Sequence, residues 1–188
     1  MFFAILFVIA VLVALLSGGS LENLKNTKLK YAWLVFVSLA IKIALFSELR
    51  NAIGLHDKLV PLIYSFSLLL IVCFIIFNIN LRGFGVLGLG LISNSLVITL
   101  NGGYMPVRAE YVPLIATVKD MERIQSGLPA TNFIPISTDT SLSFLADIFL
   151  MPDWMPLSKV FSVGDVLIII GGFMFVFYQS RIVSNDKK

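Results

Sequence analysis

The sequence predicts an all-α membrane protein: five transmembrane helices, with an ordered extracytoplasmic segment of short amphipathic helices between helices 4 and 5. Three observations carry this. Apolar residues make up 58% of the chain and charged residues 13%, about half the charged share of a soluble domain. The apolar residues fall in five blocks of roughly 16 to 20, enough at 1.5 Å per residue to cross about 30 Å of hydrocarbon. One long polar stretch, 101–162, separates the last two blocks. Residues 1–188 therefore read as a single integral-membrane domain, with spans at 1–19, 31–47, 59–78, 84–100 and 163–180.

The first block has no Lys or Arg ahead of it, and "LLSGGS" is a poor cleavage signal, so it reads as a retained helix. Ala10, Ala14 and Gly18 recur every four residues along it, a small-residue face on which another helix packs closely. The second block carries Lys42 near its outer end, within snorkelling reach of the headgroups. In the third, Cys73 reads as a small packing residue among Ile and Phe. The fourth holds the run Gly83, Gly85, Gly88 and Gly90, which suits close helix packing. It also holds Asn94, whose amide requires a partner in hydrocarbon and predicts an interhelical hydrogen bond.

Behind that helix stands Asn101-Gly102-Gly103, a turn in which the glycines take positive φ. Pro106 keeps Met105 out of a helix, and Tyr104 is expected to rest at the membrane interface. Periodicity then predicts a helix over Val112–Ser126 with Leu114, Val118, Met121 and Gln125 on its apolar face. Pro113 suits its first turn, and Gly127 and Pro129 its end. A second short helix is expected from Thr140 to about Leu150, greasy along Leu142, Leu145 and Phe149. Trp154 and Met155 read as headgroup-level residues. The fifth span opens with Ser162 and Asp165, spaced as a capping box.

Basic residues orient the chain. Lys25, Lys28, Lys30, Arg82, Arg181, Lys187 and Lys188 lie on one side, against Arg50 and Lys58 on the other, where Glu48 and Asp57 balance them. This places the N-terminus outside and the C-terminus in the cytoplasm.

No motif for catalysis, cofactor or metal emerges. His56 stands alone, and the outer acids Glu110, Asp120, Glu122, Asp139, Asp147 and Asp153 are too scattered for an oxygen-ligand cation site. The candidate site is instead a small polar pocket near the outer face, formed by Lys42, Asn94, Asn101 and Asp165, with Gly102, Gly103 and Pro106 as the structural turn.

"NGGYMPV" (Asn101–Val107), "STDTSLSFLADIF" (Ser137–Phe149) and "KVFSVGDVLIIIGG" (Lys159–Gly172) together resemble a family of bacterial multi-pass membrane proteins known only as a domain of unknown function. Its signatures here are N-G-G-x-M-P and F-S-x-G-D. The resemblance implies a topology and a setting in the bacterial cytoplasmic (inner) membrane, and no mechanism. The expected partners are the lipid bilayer and another membrane-protein subunit, with no nucleic acid. The leading expectation is a non-enzymatic accessory, scaffold or sensor subunit. Its rival is a small-solute or ion transporter or channel component, and a third reading is a membrane enzyme using the outer carboxylates.

Overall fold

In the computed structural model, residues 2–47, 49–52, 54–56, 59–152 and 160–182 are described. The roles expected of Trp154 and Met155, and the charges at Glu48, Asp57, Lys58, Asp153, Lys187 and Lys188, lie outside those residues.

Apolar sequence without breakers forms the long helices: α1 (Phe2–Leu16), α3 (Trp33–Phe46), α5 (Val60–Phe77), α6 (Phe84–Leu100) and α9 (Val163–Gln179). Short helices α2 (Leu21–Lys25) and α4 (Leu49–Ala52) follow α1 and α3. Among the described residues α5 is the one helix long and apolar enough to cross a membrane, at 18 residues; the other four long helices are apolar but shorter. Caps and turns trim them, as at Ser47, Gly83 and Asn101.

The principal seams run α1 to α9, α9 to α6, α6 to α5 and α5 to α3. Small residues make this approach close. A side chain at Gly90 would run into the Gly164 backbone, and one at Gly171 into Leu87. Ala10 and Ala14 bury against Val176, as the small-residue face predicts, while Gly18 turns out of α1 at φ +85°. The helices thus make an open layer. Phe36 is 70% and Leu62 69% exposed.

At one end the layer is knitted by polar contacts. Asn78 exchanges hydrogen bonds with the Lys30 backbone at 2.8 and 2.9 Å. Arg181 donates to the Ser17 carbonyl at 2.6 Å, and Asn23 to that of Ser180 at 2.8 Å.

At the other end residues 101–152 fold as a cap that mixes helix and strand, correcting the all-helical expectation. β1 (Met105–Val107) pairs in parallel with β2 (Phe133–Pro135), and β3 (Phe149–Leu150) is antiparallel to β4 (Val160–Phe161). The helix expected over Val112–Ser126 is two, α7 (Val112–Ile115) and α8 (Val118–Gln125). Thr117 breaks it, because its hydroxyl accepts the Asp120 N–H and starts a new helix with a capping box. The buried side of α8 is Asp120, Met121 and Ile124, packing toward Val107, Val112 and Phe133, whereas Val118 is exposed. Its end is as predicted: Gly127 takes φ +75° and the Leu128 N–H reaches the Arg123 carbonyl at 2.9 Å.

The helix expected from Thr140 to Leu150 does not form. A single 3-10 turn, Ser143–Leu145, stands there. The Asp147 N–H donates to the Pro106 carbonyl at 3.0 Å and its carbonyl accepts from the Arg108 N–H at 3.1 Å, so this backbone belongs to the edge of β1. Tyr104 is buried in the protein rather than resting at an interface.

Candidate functional site

Three polar side chains of the helix layer, Asn94, Ser162 and Asp165, meet beneath the cap. Ser162 precedes α9 and accepts the Asp165 N–H at 3.0 Å, while Asp165 Oδ2 accepts the Ser162 N–H at 2.9 Å. This is the capping box that the sequence spacing predicts, and the carboxylate suits the positive end of the helix dipole. Asn94, in the middle of the neighbouring α6, completes it. Its Nδ2 donates to Asp165 Oδ1 at 2.9 Å. The single Ser162 hydroxyl proton has two acceptors in reach, Asn94 Oδ1 at 3.0 Å and Asp165 Oδ2 at 2.9 Å. Gly164 lets α6 come this near, since a Cβ there would overlap the Asn94 amide.

Two more ionisable groups sense this knot. Lys42, on the exposed side of α3, lies in Coulombic range of Asp165, with its Nζ 6.0 Å from the Tyr64 ring centroid. Asp147 brings a second carboxyl from the cap. Its Oδ1 is buried with no hydrogen-bond partner among the described residues. Burial, with the Asp165 charge adding to it, pushes the Asp147 carboxyl up to about 7. Beside it a cleft of 420 Å³ opens between Met105, Val107, Leu114, Asn132 and Phe133.

Of the residues singled out from sequence, Asn94 and Asp165 are therefore hydrogen-bonded and Lys42 is in their field. Asn101 is bound elsewhere: its Nδ2 donates to the Val97 carbonyl at 2.6 Å and the Ser141 carbonyl at 2.9 Å, and its Oδ1 accepts the Ser141 N–H at 3.0 Å. It fastens the cap to the end of α6. Gly102 and Gly103 take φ of +70° and +87°, as their turn requires. Pro106 is buried in β1.

Sequence reasoning gave Asp147 no role beyond that of a scattered acid. Its signal was present: one acid inside the apolar string Leu145-Ala146-Asp147-Ile148-Phe149. Asp120 went unnoticed in the same way. Its Oδ2 accepts from Thr117 N–H at 3.0 Å and Oγ–H at 2.7 Å, and its Oδ1 from Thr131 N–H at 2.8 Å and Oγ–H at 2.7 Å. Burial works to raise its pKa, but these four donors outweigh it and hold the carboxyl down at about 2. The Thr-x-x-Asp spacing at 117–120 is the sign that marks it.

A layer of apolar helices, pinned from α6 to α9 by a part-buried polar knot and fastened to a small mixed cap through Asn101, is the class of protein this defines. The chain belongs to the family of unknown function DUF5317, whose model matches residues 26–177. It is similar to an uncharacterised protein of Thermotoga maritima, with 32% identity over 184 residues that cover 97% of this chain and 94% of that one. No solved structure matches it.

Proposed function

We propose that the chain is a five-span protein of the bacterial cytoplasmic membrane, with its N-terminus and cap outside and its C-terminus in the cytoplasm. Within it, the protein serves as a non-enzymatic accessory, scaffold or sensor subunit that acts through contacts. The observation that carries the membrane setting is the openness of the helix layer. Only 28% of the apolar helix α5 is buried within the protein, where the core helix of a water-soluble domain would be mostly covered. A bilayer supplies the missing cover. The shorter helices of 14 to 17 residues rise about 21 to 26 Å. Local thinning of the bilayer and snorkelling of flanking residues accommodate the remainder at modest cost. Lys25, Lys28, Lys30, Arg82 and Arg181 gather at the end away from the cap, which supports the orientation.

The contact role rests on how cap and spans are joined. Asn94, Ser162 and Asp165 lock α6 to the start of α9, and Asn101 locks α6 to Ser141. A displacement of the cap, by a partner or a ligand, is thereby transmitted to two spans. Purification of the tagged full-length protein in mild detergent tests this. A stoichiometric membrane partner is expected, and recovery of the protein alone from native membranes contradicts the accessory role.

The second reading is a small-solute or ion transporter or channel component with a polar pocket near the outer face, favoured by Lys42 and Asp147 each lying in Coulombic range of Asp165. Flux into liposomes containing this protein alone separates the two: robust flux, abolished by Asp165→Asn, establishes transport and displaces the accessory role.

A further inference from the structure

The 420 Å³ cleft beside Asp147 opens among elements of the cap, with Val107 of β1, Leu114 and Ile115 of α7 and Phe133 of β2 as apolar walls. Its polar lining among the described residues is Asn132, which is exposed, and Asp147, the one charged group there. The Asp147 backbone is clamped along β1, because its N–H donates to the Pro106 carbonyl and its carbonyl accepts the Arg108 N–H. The carboxyl itself is unmatched. Its Oδ1 is enclosed without a partner. Its Oδ2 has no hydrogen bond among the described residues either, but it is not enclosed, so a molecule in the cleft can reach it. Among the described residues no cation pairs with this carboxyl. Arg108, just past β1, turns its guanidinium to Glu110 at 3.2 Å and to the Tyr111 ring centroid at 5.7 Å. Lys42 acts on Asp165 instead. The charge that does reach Asp147 is that of Asp165, a second carboxylate.

A cleft with apolar walls, one unmatched carboxyl and a second negative charge behind it selects its ligand by sign and by shape. Anions are repelled, and a neutral hydroxyl leaves the charge uncompensated. An inorganic cation requires several oxygen ligands, and no group of three acidic, His or Cys side chains able to hold one stands among the described residues. An ammonium gives the carboxylate a charge-assisted hydrogen bond, which apolar walls strengthen by keeping water away. We propose that this cleft binds a small organic amine, its ammonium on Asp147 Oδ2 and its apolar body against Leu114, Ile115 and Phe133. The volume is in the range of small-molecule sites. This inference rests neither on the membrane setting nor on the contact role proposed above.

The test uses the full-length protein in dodecyl maltoside at pH 8, where the Asp147 carboxyl, raised to about 7, is mostly ionised. Isothermal titration against detergent blanks compares three probes of one shape: phenethylamine, 2-phenylethanol and 3-phenylpropionate. The amine is expected to bind about ten-fold or more tightly than the alcohol, the order of one charge-assisted hydrogen bond, and the carboxylate not to bind. Asp147→Asn, which keeps size and backbone bonds, should bring the ratio of amine to alcohol near one. Leu114→Trp, at a partly exposed position on the wall, should fill the cleft and weaken the amine while leaving Asp147 in place. Asp139→Asn, an exposed acid elsewhere on the cap, should leave the ratio unchanged. Equal binding of amine and alcohol, no binding of the amine, or a preference that survives Asp147→Asn overturns the proposal. A response to calcium alone that Asp147→Asn abolishes, without any response to the amine, makes the cleft an inorganic cation site and overturns it as well.

Discussion

Replacing Asp120 by Asn should loosen the cap without touching the apolar helices. The side chain is only 5% exposed, and its two oxygens accept four hydrogen bonds from Thr117 and Thr131. An amide keeps one oxygen for one pair of donors and turns an NH₂ group toward the other pair. The carboxyl's pKa falls from an ordinary 3.8 to about 2 on folding, so the folded cap binds that proton less tightly than the unfolded chain. Stability linked to it is therefore present in full above about pH 5 and is lost as the pH falls through 3.8 toward 2. At 1.36 kcal/mol per pH unit the gain is about 2.4 kcal/mol, of which about half remains at pH 3. Hydrogen–deuterium exchange on the full-length protein reads this directly. Amides of α8 are expected to exchange about 60-fold faster in Asp120→Asn at pH 7, with α5 and α6 unchanged. A change in α8 below about three-fold would refute the reasoning, because the four bonds would then contribute nothing net to the cap.

Other perturbations have equally definite outcomes. Asn94→Leu removes the donor to Asp165 Oδ1 and one acceptor of the Ser162 hydroxyl; thermal unfolding in detergent should show a loss of about 1–3 kcal/mol, and an unchanged midpoint contradicts the knot. Gly102→Ala should cost about 1–2 kcal/mol for its positive φ alone. Gly103→Ala should cost more, since its Cβ would also stand 2.8 Å from Pro61 Cα; equal losses for the two would deny that close contact. Asp147 has the opposite sign to Asp120: its folded pKa is raised to about 7, so stability falls as the pH climbs from about 4 toward 7, by at most about 4 kcal/mol. Asp147→Asn should flatten that slope, and a slope unchanged by the substitution would place the titration elsewhere.

Local chemistry was legible in the sequence. Ser162 and Asp165 form their box because both partners lie within one helical turn, and Gly102 and Gly103 turn the chain because no other residue tolerates their φ so readily. The need of Asn94 for a partner was also readable, though not that the partner would be the cap of α9. What escaped depends on backbone pairing between distant segments. The greasy periodicity of Leu142, Leu145 and Phe149 suits a helix, but β1 claims the Asp147 backbone from forty residues upstream. Tyr104, read as an interfacial ring, is buried within the protein. Thr117 splits one expected helix because its hydroxyl competes for the Asp120 N–H, a signal that was present and outweighed by the apolar spacing.

Site-directed labelling of intact cells tests the membrane setting most directly. With Cys73→Ser as background, single cysteines go at Asp139, exposed on the cap, and at Lys28, exposed at the far end of the helix layer. An impermeant thiol reagent is then applied before and after permeabilisation. A five-span insertion with the cap outside predicts labelling at position 139 in intact cells and at position 28 only after permeabilisation. Labelling of both in intact cells, or recovery of the protein in the soluble fraction, would contradict it.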